Sequence, residues 1–494
     1  MKEPDFRFPP YKHQLREWKR NKDKRAHALL WQMRTGKSRC VIDLGCYWRE
    51  EYGIDGVLIL APNGVHENWT RRELKKHHWN RVPFNSLAFG TEKSRTPEWQ
   101  AKFDKYLKSD KLFWFAVNSE SMVLPDARAA IKRFIKAKKH FFLIADECHD
   151  FRIPGSKRTK MVRSISPKLP MGVRILSGTA VLNSPLHAFS QWELLKKEAL
   201  GFKNFGSFKR RYAEISFMPR CRPDGSEMYN GRKFPTIIGY KHLEELRERM
   251  GKFASVVLRE DCNDLPPLIE TVRYVEPTKR QLKIYRKLHH EYTVSINRED
   301  VSIGENTQRF IKLQQVLSGF LKDEYEVIHR IPGENPRLEA LMQELAERDG
   351  KFIIWCQFRE DIRIVAERLE LDGIHFVQYH GGVTDKEQRQ RAIDAFQNKK
   401  SVQGFIGTPA AGGQGLDLSA AHHIVNYSHT FNAIHREQSV ERATAVGGRS
   451  ITVTDLIVPN SIEEYIRRKV REKVSRSQAL AGKGMRDMLE GTIL

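Results

Sequence analysis

Residues 31–38 have the sequence Trp-Gln-Met-Arg-Thr-Gly-Lys-Ser and lie between an apolar run, 26–30, and a segment, 39–48, whose apolar residues recur at helical spacing. A strand, a tight loop and a helix that opens on Gly-Lys-Ser form the context of a phosphate-binding loop. Unpaired backbone N–H groups and the helix dipole favour an anion at such a helix start. The segment therefore predicts a loop that holds phosphate groups, although Trp31 occupies the position of the pattern's first glycine.

The residues of this loop are expected to have different roles in phosphate and metal binding. Gly36 lets the backbone approach a ligand without a Cβ in the way. Lys37 supplies a mobile cation for the outer phosphates, and Ser38 offers a hydroxyl to Mg²⁺. Arg34 and Thr35 stand where the general pattern has small residues. Because such short patterns recur by accident, a surface turn that happens to contain Gly-Lys-Ser is the alternative, and partners further along the chain must decide.

The size and charge of the chain limit its class. With 494 residues it is too long for one ordinary domain and predicts about two to four. It carries 85 Lys and Arg against 61 Asp and Glu, and a formal net charge of +24 favours a polyanionic partner, above all nucleic acid. No apolar run is long enough for a membrane span, and the polar N-terminus has no secretory core. Six scattered cysteines without a C-x-x-C pair argue against a zinc module or a disulfide framework and for reduced thiols.

Apolar strands alternate with amphipathic helices in two parts of the chain, which predicts parallel sheets with helices on both faces. In the first part the predicted strands are Ala26–Leu30, Val57–Ala61, Leu112–Val117, Phe141–Ala145 and Val173–Leu176. In the second part they are Phe352–Cys356, His375–Tyr379, Gly404–Ile406, His423–Asn426 and Ile451–Ile457. The sequence therefore predicts two α/β units, of which only the first has a phosphate loop.

The chain between these units has a different composition. Residues 201–240 are rich in Arg, Gly, Phe and Tyr, and Asp264-Leu265-Pro266-Pro267 is a stiff extended segment. Thr278–Leu321 predicts a long helical pair that is broken near Gly304. A basic helix is predicted from Glu463 to about Ala481.

The predicted strand Phe141–Ala145 ends in two adjacent carboxylates, Asp146 and Glu147. Beside a phosphate loop, Asp146 would hold Mg²⁺ through water, and Glu147 would orient and polarise the water that attacks the γ-phosphorus. A strand-end turn with two solvated acids is the alternative. Two acids at the carboxyl end of a buried strand, downstream of a Gly-Lys-Ser loop, argue against that alternative.

These two blocks resemble those of superfamily 2 helicase-type ATPases of the DEAD/DEAH kind. Further blocks are similar to the Swi/Snf-like branch of that superfamily, namely Tyr11–Gln14, Ala61–Trp69, Leu176–Asn183, Tyr379–Gly382, Gly407–Leu418 and Phe431–Arg442. The long, glycine-dense block Gly407–Leu418 is highly specific to this branch. The resemblance extends from about residue 8 to 470, which is nearly the whole chain.

The resemblance implies an α/β fold of two RecA-like parallel-sheet lobes in tandem, with small helical insertions, and it implies ATP and Mg²⁺. The implied domains are an ATP-binding lobe at 1–255 with a helical, basic insertion near 195–250, a connecting strand and helical insertion at 256–335, and a C-terminal lobe with a basic helix at 336–494. The implied catalytic residues are Lys37, Asp146, Glu147, Gln438 and Arg442. The implied nucleotide-binding residues are Tyr11, Gln14, Arg34, Thr35, Gly36, Lys37, Ser38, Gly415, Asp417 and Arg442, with Ser38 and Asp146 as Mg²⁺ ligands. The Gln14 amide suits the paired donor and acceptor of an adenine edge.

The implied function is a DNA-dependent ATPase that hydrolyses ATP between two lobes and translocates along, or remodels, double-stranded DNA. We expect a monomer without a membrane partner, in the cytoplasm of a bacterium or of a virus-infected host cell. Two alternatives stay open. The first is a helicase that separates strands of DNA or RNA, and the second is a DNA-binding scaffold with weak ATPase.

One position departs from the family pattern. The family block normally has a second arginine three residues after Arg442, and here that position is Ala445. That arginine usually stabilises charge on the transferring phosphoryl, a contribution on the order of 10³–10⁵ in rate. Arg442 could serve alone, Arg449 could reach in from the next loop, or turnover could be slow. We favour Arg442 with help from Arg449.

Overall fold

The computed structural model describes residues 3–32, 35–165, 171–178, 184–219, 233–258, 262, 268–290, 293–296, 299–302, 306–323, 325–382, 385–412, 416–443 and 450–481. The chain divides into two compact units, the first made of Met1–Met218, Pro235–Asn263 and Val474–Leu494 and the second of Pro219–Phe234 and Asp264–Lys473. The predicted three-part division into 1–255, 256–335 and 336–494 stays a prediction. Every helix in the described part of the chain is too short or too polar to span a lipid bilayer.

A seven-stranded parallel sheet forms the centre of the first unit. In chain order the strands up to residue 257 are β1 (Ala26–Trp31), β2 (Gly56–Ala61), β3 (Phe84–Ala88), β4 (Leu112–Asn118), β5 (Phe141–Ala145), β6 (Gly172–Leu176), β7 (Ala213–Pro219), β8 (Lys233–Tyr240) and β9 (Ala254–Val257). The order in the sheet is β3-β4-β2-β5-β6-β1-β9, and every neighbouring pair is parallel. The five predicted strands are therefore confirmed, whereas β7, β8 and the two edge strands, β3 and β9, were not predicted.

The helices of this part of the chain are α1 (Lys12–Asn21), α2 (Lys37–Tyr52), α3 (Val65–Asn68), α4 (Leu74–His77), α5 (Pro97–Lys108), α6 (Pro125–Ala137), α7 (Lys157–Ile165), α8 (His187–Leu195), α9 (Phe205–Tyr212) and α10 (Leu243–Gly251). A π turn, Trp69–Glu73, joins α3 to α4. The helix that follows the phosphate loop, α2, is bounded by Gly36 and Gly53, both with left-handed backbone. Such residues start and stop a helix sharply, so the sequence fixes where α2 begins.

Aromatic side chains pack one side of this sheet. Trp99 stacks on Phe103 with ring centroids 4.9 Å apart, and Phe103 contacts Phe115 at 5.0 Å. Phe115 lies on β4, next to the edge strand β3, and Phe134 of α6 closes the cluster at 5.6 Å from it. Such large buried rings contribute much of the apolar area that stabilises a core. They hold the strands as a rigid platform for the loops at their carboxyl ends.

The second unit contains a six-stranded parallel sheet. Its strands and hairpins are β10 (Leu268–Tyr274), β11 (Thr293–Ile296), β12 (Glu299–Ser302), β13 (Phe320–Lys322), β14 (Ile328–Arg330), β15 (Lys351–Trp355), β16 (Phe376–Tyr379), β17 (Gly404–Gly407), β18 (Ala421–Asn426) and β19 (Ile451–Ile457). The order in the large sheet is β10-β19-β18-β15-β17-β16, again parallel throughout. All five strands predicted here are present, so two α/β units are confirmed.

The helices of the second unit are α11 (Lys279–His290), α12 (Asn306–Leu317), α13 (Pro336–Ala346), α14 (Arg359–Leu371), α15 (Lys386–Asn398), α16 (Pro409–Gly412), α17 (Ala433–Glu441) and α18 (Ile462–Ala481). The helical pair predicted over Thr278–Leu321 is present as α11 and α12, but its interruption is larger than expected. Between the helices, β11 and β12 form an antiparallel hairpin. The β-branched residues Thr293, Val294 and Ile296 favour a strand over a helix at this point.

A buried ion pair fastens helices α13 and α18 of the second unit. The Arg337 guanidinium donates to both carboxylate oxygens of Glu463 at 2.7 Å, and neither side chain is exposed to solvent. Glu463 also accepts from the backbone N–H of Val458 at 3.0 Å, and Arg337 donates to the carbonyl of Leu317 at 3.2 Å. Each charge therefore has several partners. Removal of one partner would leave the other buried and uncompensated.

We predict that Glu463→Gln lowers the free energy of unfolding of the second unit by about 3–5 kcal/mol, because Arg337 loses its counter-charge in a dry interior. The matched control is Glu339→Gln, which breaks the exposed pair with Arg368 and should cost less than about 1 kcal/mol. Urea denaturation of the two variants, followed by hydrogen exchange of peptides from α13 and α18, measures the difference. Equal losses in both variants would contradict the assignment.

Candidate active site

The phosphate loop of the first unit connects β1 to α2 and admits only glycine at position 36. The backbone of Gly36 is left-handed, with φ +87°. A Cβ placed there would lie 2.0 Å from Nε2 of Gln14, far inside van der Waals contact. Both the conformation and the space therefore exclude a side chain, as the pattern predicted.

Two buried side chains of α1 hold this loop by one atom. His13 Nε2 and Gln14 Nε2 donate to the carbonyl oxygen of Thr35 at 2.8 and 3.2 Å. The other end of the Gln14 amide accepts from the backbone N–H of Tyr11 at 3.1 Å. In this structure Gln14 thus supports the loop, and its assignment to the adenine edge stays a prediction. Sequence reasoning missed His13, whose contact with Thr35 crosses 22 positions in the sequence.

Lys37 begins α2, and its ammonium group lies across the loop. Nζ donates to the carbonyl oxygens of Trp31 at 2.7 Å and Gln32 at 3.2 Å. Ser38 follows in the first turn of the helix and is partly accessible. Arg34, which was assigned to nucleotide binding, lies outside the described residues.

The two predicted acids follow β5, which lies between β2 and β6 in the sheet. Asp146 is buried, and its Oδ2 accepts from Trp69 Nε1 at 2.9 Å while Oδ1 accepts from the backbone N–H of Glu147 at 3.0 Å. Burial, helped by the charge of Glu147, raises the pKa of Asp146 to about 6, against the opposing effects of the Trp69 hydrogen bond and the Lys37 charge. The effect of Lys37 means that its ammonium group is close enough to act on this carboxylate.

Glu147 has a left-handed backbone, φ +49°, which is uncommon for a residue with a side chain. Such a conformation costs about 1–3 kcal/mol and concentrates at functional sites. The Glu147 carboxylate lies 3.2 Å from Nδ1 of His149. Burial opposes the positive charge on His149, but Glu147 and Asp150 outweigh it, so that the pKa of His149 is raised. Ser119, at the end of β4, donates to Asp150 at 2.5 Å and extends this polar chain.

The loop and the acids meet because of sheet topology. Strands β5, β6 and β1 are neighbours and parallel, so their carboxyl ends lie at the same edge. Ligands of open α/β sheets bind at this edge. The structure thus brings Gly36, Lys37, Ser38 and the Asp146–Glu147 pair to one edge of the first unit. Trp69 lies at the same edge, because its indole N–H donates to Asp146. In the sequence, only the family block Ala61–Trp69 indicated this residue.

The second unit carries the remaining assigned residues on α17 and its flanks. Gln438 is buried within α17, and Arg442 follows the end of that helix, where its carbonyl accepts from Leu418 N–H at 3.0 Å. The charge of Arg442 acts on the phenol of Tyr379, which places this arginine near the carboxyl end of β16. Asp417 Oδ1 accepts from the backbone of Ser419 at 3.3 Å. Gly415, Ala445 and Arg449 lie outside the described residues.

Further basic groups surround the end of β16. The Arg389 guanidinium lies over the ring of Tyr379 at 5.3 Å, and its Nη2 is 3.4 Å from the carbonyl of His380. Burial, together with the charges of Arg359 and Arg389, lowers the pKa of His380, so this ring is neutral at pH 7. Arg389 follows the family block Tyr379–Gly382 in the sequence, whereas the sequence did not indicate Arg359. This edge of the second unit is therefore cationic.

Two family models match the chain, the SNF2-related domain over residues 12–325 and the helicase conserved C-terminal domain over residues 336–456. Chromodomain-helicase-DNA-binding protein 1-like of Danio rerio is 22% identical over 472 residues, which cover 93% of this chain and 42% of that protein. DNA repair and recombination protein RAD54B of Mus musculus is 24% identical over 448 residues, which cover 79% of this chain and 48% of that protein. The chain spans less than half the length of both relatives.

Among solved structures, the Sulfolobus solfataricus SWI2/SNF2 ATPase core in complex with dsDNA is similar, with 20% identity, coverage of 99% of this chain and 96% of that chain, and a TM-score of 0.40. The assignment of the chain to a family rests on the family model and not on this structural similarity. Because the SNF2-related domain matches more than half of the chain, this protein belongs to the SNF2-related family, as its resemblance to the Swi/Snf-like branch predicted.

Proposed function

We propose that this protein is a DNA-dependent ATPase that translocates along, or remodels, double-stranded DNA. The observation that carries the proposal is the meeting of Lys37 with the Asp146–Glu147 pair at one sheet edge, where the lysine charge acts on Asp146. A glycine-bounded helix start, a mobile cation and two acids are the parts that hydrolysis of a nucleoside triphosphate needs. The SNF2-related match supports the same reaction.

ATP is the proposed substrate, and the donor set fits Mg²⁺ as its partner. Mg²⁺ prefers oxygen ligands, keeps several waters and is usually held by one or two carboxylates plus phosphates. Ser38 and Asp146 offer a hydroxyl and a carboxylate of this kind, and the described residues hold no group of three or more His, Cys, Asp or Glu that would enclose a metal. When bound, Mg²⁺ would neutralise phosphate charge. Lys37 would exchange the carbonyls of Trp31 and Gln32 for phosphate oxygens.

Glu147 is the proposed base that orients the attacking water. Its carboxylate lies 3.2 Å from Nδ1 of His149, whose pKa is raised by Glu147 and Asp150 against the effect of burial. An ionised base is the form that can polarise water. Gln438 and Arg442 are proposed to contribute to hydrolysis from the second unit, with Gly415 and Asp417 in nucleotide binding.

Double-stranded DNA is the proposed partner. A net charge of +24 supports binding to phosphates, and relatives named for DNA repair and DNA binding support the choice of DNA. The described cysteines form no disulfide, which supports the proposal of a reducing, cytoplasmic compartment. A monomer is proposed as the working form.

The proposal is tested by the ATPase rate with duplex DNA, single-stranded DNA and RNA at two salt concentrations. We expect the duplex to stimulate turnover most, and more at low salt, because phosphate contacts are screened. Lys37→Ala should lower the stimulated rate by about 10²–10³-fold, because a preorganised cation is lost. Lys105→Ala, which changes an exposed lysine of α5, is the control and should retain the rate. Turnover that duplex DNA leaves unchanged would favour the scaffold alternative.

Translocation is separated from strand separation by two parallel assays. Triplex displacement reports movement along an intact duplex, and strand displacement reports unwinding. We expect ATP-dependent triplex displacement without strand displacement. Processive strand displacement would establish the helicase alternative.

We predict that Trp69→Phe moves the pH dependence of Mg·ATP binding. Asp146 must be ionised to hold the metal, so binding should weaken as the pH falls through about 6, the value to which its pKa is raised. Loss of the Trp69 hydrogen bond raises this pKa further and moves the midpoint to higher pH. Trp79→Phe, which removes a similar bond to the distant acid Asp43, is the control. A fluorescent ATP analogue titrated between about pH 5 and pH 8 gives the midpoints, and equal shifts in both variants would refute the role of Trp69.

Arginine variants test which side chain replaces the family's second arginine, whose position is Ala445 in this chain. If Arg442 stabilises the transferring phosphoryl, Arg442→Ala should lower kcat by about 10³–10⁵-fold, whereas Arg449→Ala should cost less. Ala445→Arg restores the arginine typical of the family and should raise kcat. Steady-state ATPase assays with saturating duplex DNA measure all three. An unchanged kcat in Arg442→Ala would show that this side chain does not act on the phosphoryl group.

A further inference from the structure

A small cavity lies in the first unit behind the strand that leads to the phosphate loop. It lies between α1, β1, α2 and β6 and is partly open, and its lining includes Trp18, Lys22, His27, Cys40 and Arg174. The centre of a water molecule can occupy a volume of about 20 Å³ in this cavity. One water needs roughly 10–15 Å³ on the same measure, so the cavity has room for one small ion or one or two waters.

Two hydrogen-bonding side chains point to a missing partner in this cavity. His27 is 2% exposed, and neither of its ring nitrogens has a hydrogen-bond partner in the described part of the chain. The indole N–H of Trp18 is also buried and has none there. Buried polar groups are nearly always hydrogen-bonded, to protein, water or a ligand. Both residues line the same space, so a single occupant could satisfy both.

A buried cation, Arg174, also lines the cavity. Arg174 is 1% exposed, and its guanidinium donates to the carbonyl oxygens of Lys24 at 2.5 Å, Asn21 at 3.0 Å and Val173 at 3.1 Å. Its other close neighbours include the rings of Trp48 and Phe142, at 5.1 and 5.9 Å. Among the described residues no acid forms an ion pair with it. Burial lowers the pKa of Arg174 to about 9, which leaves it cationic at pH 7.

The other lining groups do not neutralise this charge. Glu17 lines one end of the cavity, where its carboxylate accepts from Asn21 Nδ2 at 3.0 Å and faces Arg16 at 3.6 Å and Arg20 at 3.9 Å. Burial raises the pKa of the Cys40 thiol, which is therefore neutral. Burial and the nearby charge of Arg174 hold the pKa of His27 far below 6.5, so this ring is also neutral and keeps one N–H donor.

We infer that this cavity binds one small monovalent anion of about the size of chloride. The N–H groups of Trp18 and His27 supply hydrogen bonds, and the Arg174 guanidinium supplies the counter-charge. A water molecule could satisfy the two donors but would leave Arg174 without a counter-charge. A space of about 20 Å³ suits a small ion better than phosphate or an organic carboxylate.

The site has a structural connection to the phosphate loop. Trp18 lies one helical turn after Gln14 on α1, and Gln14 holds the carbonyl of Thr35. His27 lies on β1, the strand that ends at Trp31. An anion that binds these elements together stabilises the base of the loop, whether or not the protein hydrolyses ATP.

Thermal unfolding in chloride and in gluconate, at the same ionic strength of about 0.15 M, tests the inference. Gluconate is much larger than chloride and fits this small site less well, so the wild-type protein should unfold at a higher temperature in chloride. Trp18→Phe keeps the apolar ring but removes the N–H, and it should abolish this difference. Trp99→Phe is the matched control, because Trp99 has the same 8% exposure and donates to the carbonyl of Ala88 elsewhere. It should retain the difference.

Crystals of the wild-type protein in bromide locate the ion independently of any variant. An anomalous peak between Trp18, His27 and Arg174 would support the inference. Density for water only, with no anomalous peak, would overturn it. A chloride effect that persists in Trp18→Phe would overturn it as well.

Discussion

The carbonyl oxygen of Thr35 is the atom on which the phosphate loop depends. Two buried donors of α1, His13 and Gln14, meet at this acceptor, and Gln14 fills the space that a side chain at position 36 would need. The loop is therefore shaped by a helix that precedes it in the chain. A loop whose backbone is fixed in advance binds phosphate without the cost of ordering itself. Substitution of Gly36 would therefore have two effects, because it would strain the backbone and also displace Gln14.

At the carboxyl edge of the same sheet, the buried carboxylate of Asp146 lies near other charged groups. A buried carboxylate without partners would be protonated at neutral pH and useless as a metal ligand. Asp146 avoids this through the Trp69 hydrogen bond and the nearby Lys37 charge, which offset part of the effect of burial and of Glu147. The left-handed backbone at Glu147 persists because the surrounding structure stabilises it.

The sequence predicted the buried parallel strands and the loop well, because both follow from local patterns. Continuous apolar runs such as Phe141–Ala145 have few other structures open to them. The edge strand β3 is half-exposed and contains Asn85 and Ser86, so its sequence lacks that pattern. The roles of His13, Trp69 and Arg359 depend on contacts between distant parts of the chain. No local pattern contains that information, although the family blocks Tyr11–Gln14 and Ala61–Trp69 include His13 and Trp69.

The hydrogen bonds of Lys37 indicate how the proposed phosphate loop would respond to nucleotide. Its ammonium group donates to the carbonyls of Trp31 and Gln32, which are neutral acceptors. A phosphate oxygen carries negative charge, so it attracts the ammonium group more strongly than a neutral carbonyl oxygen does. Phosphate oxygens would therefore displace these carbonyls, and the lysine would move while the backbone held by Thr35 stays in place.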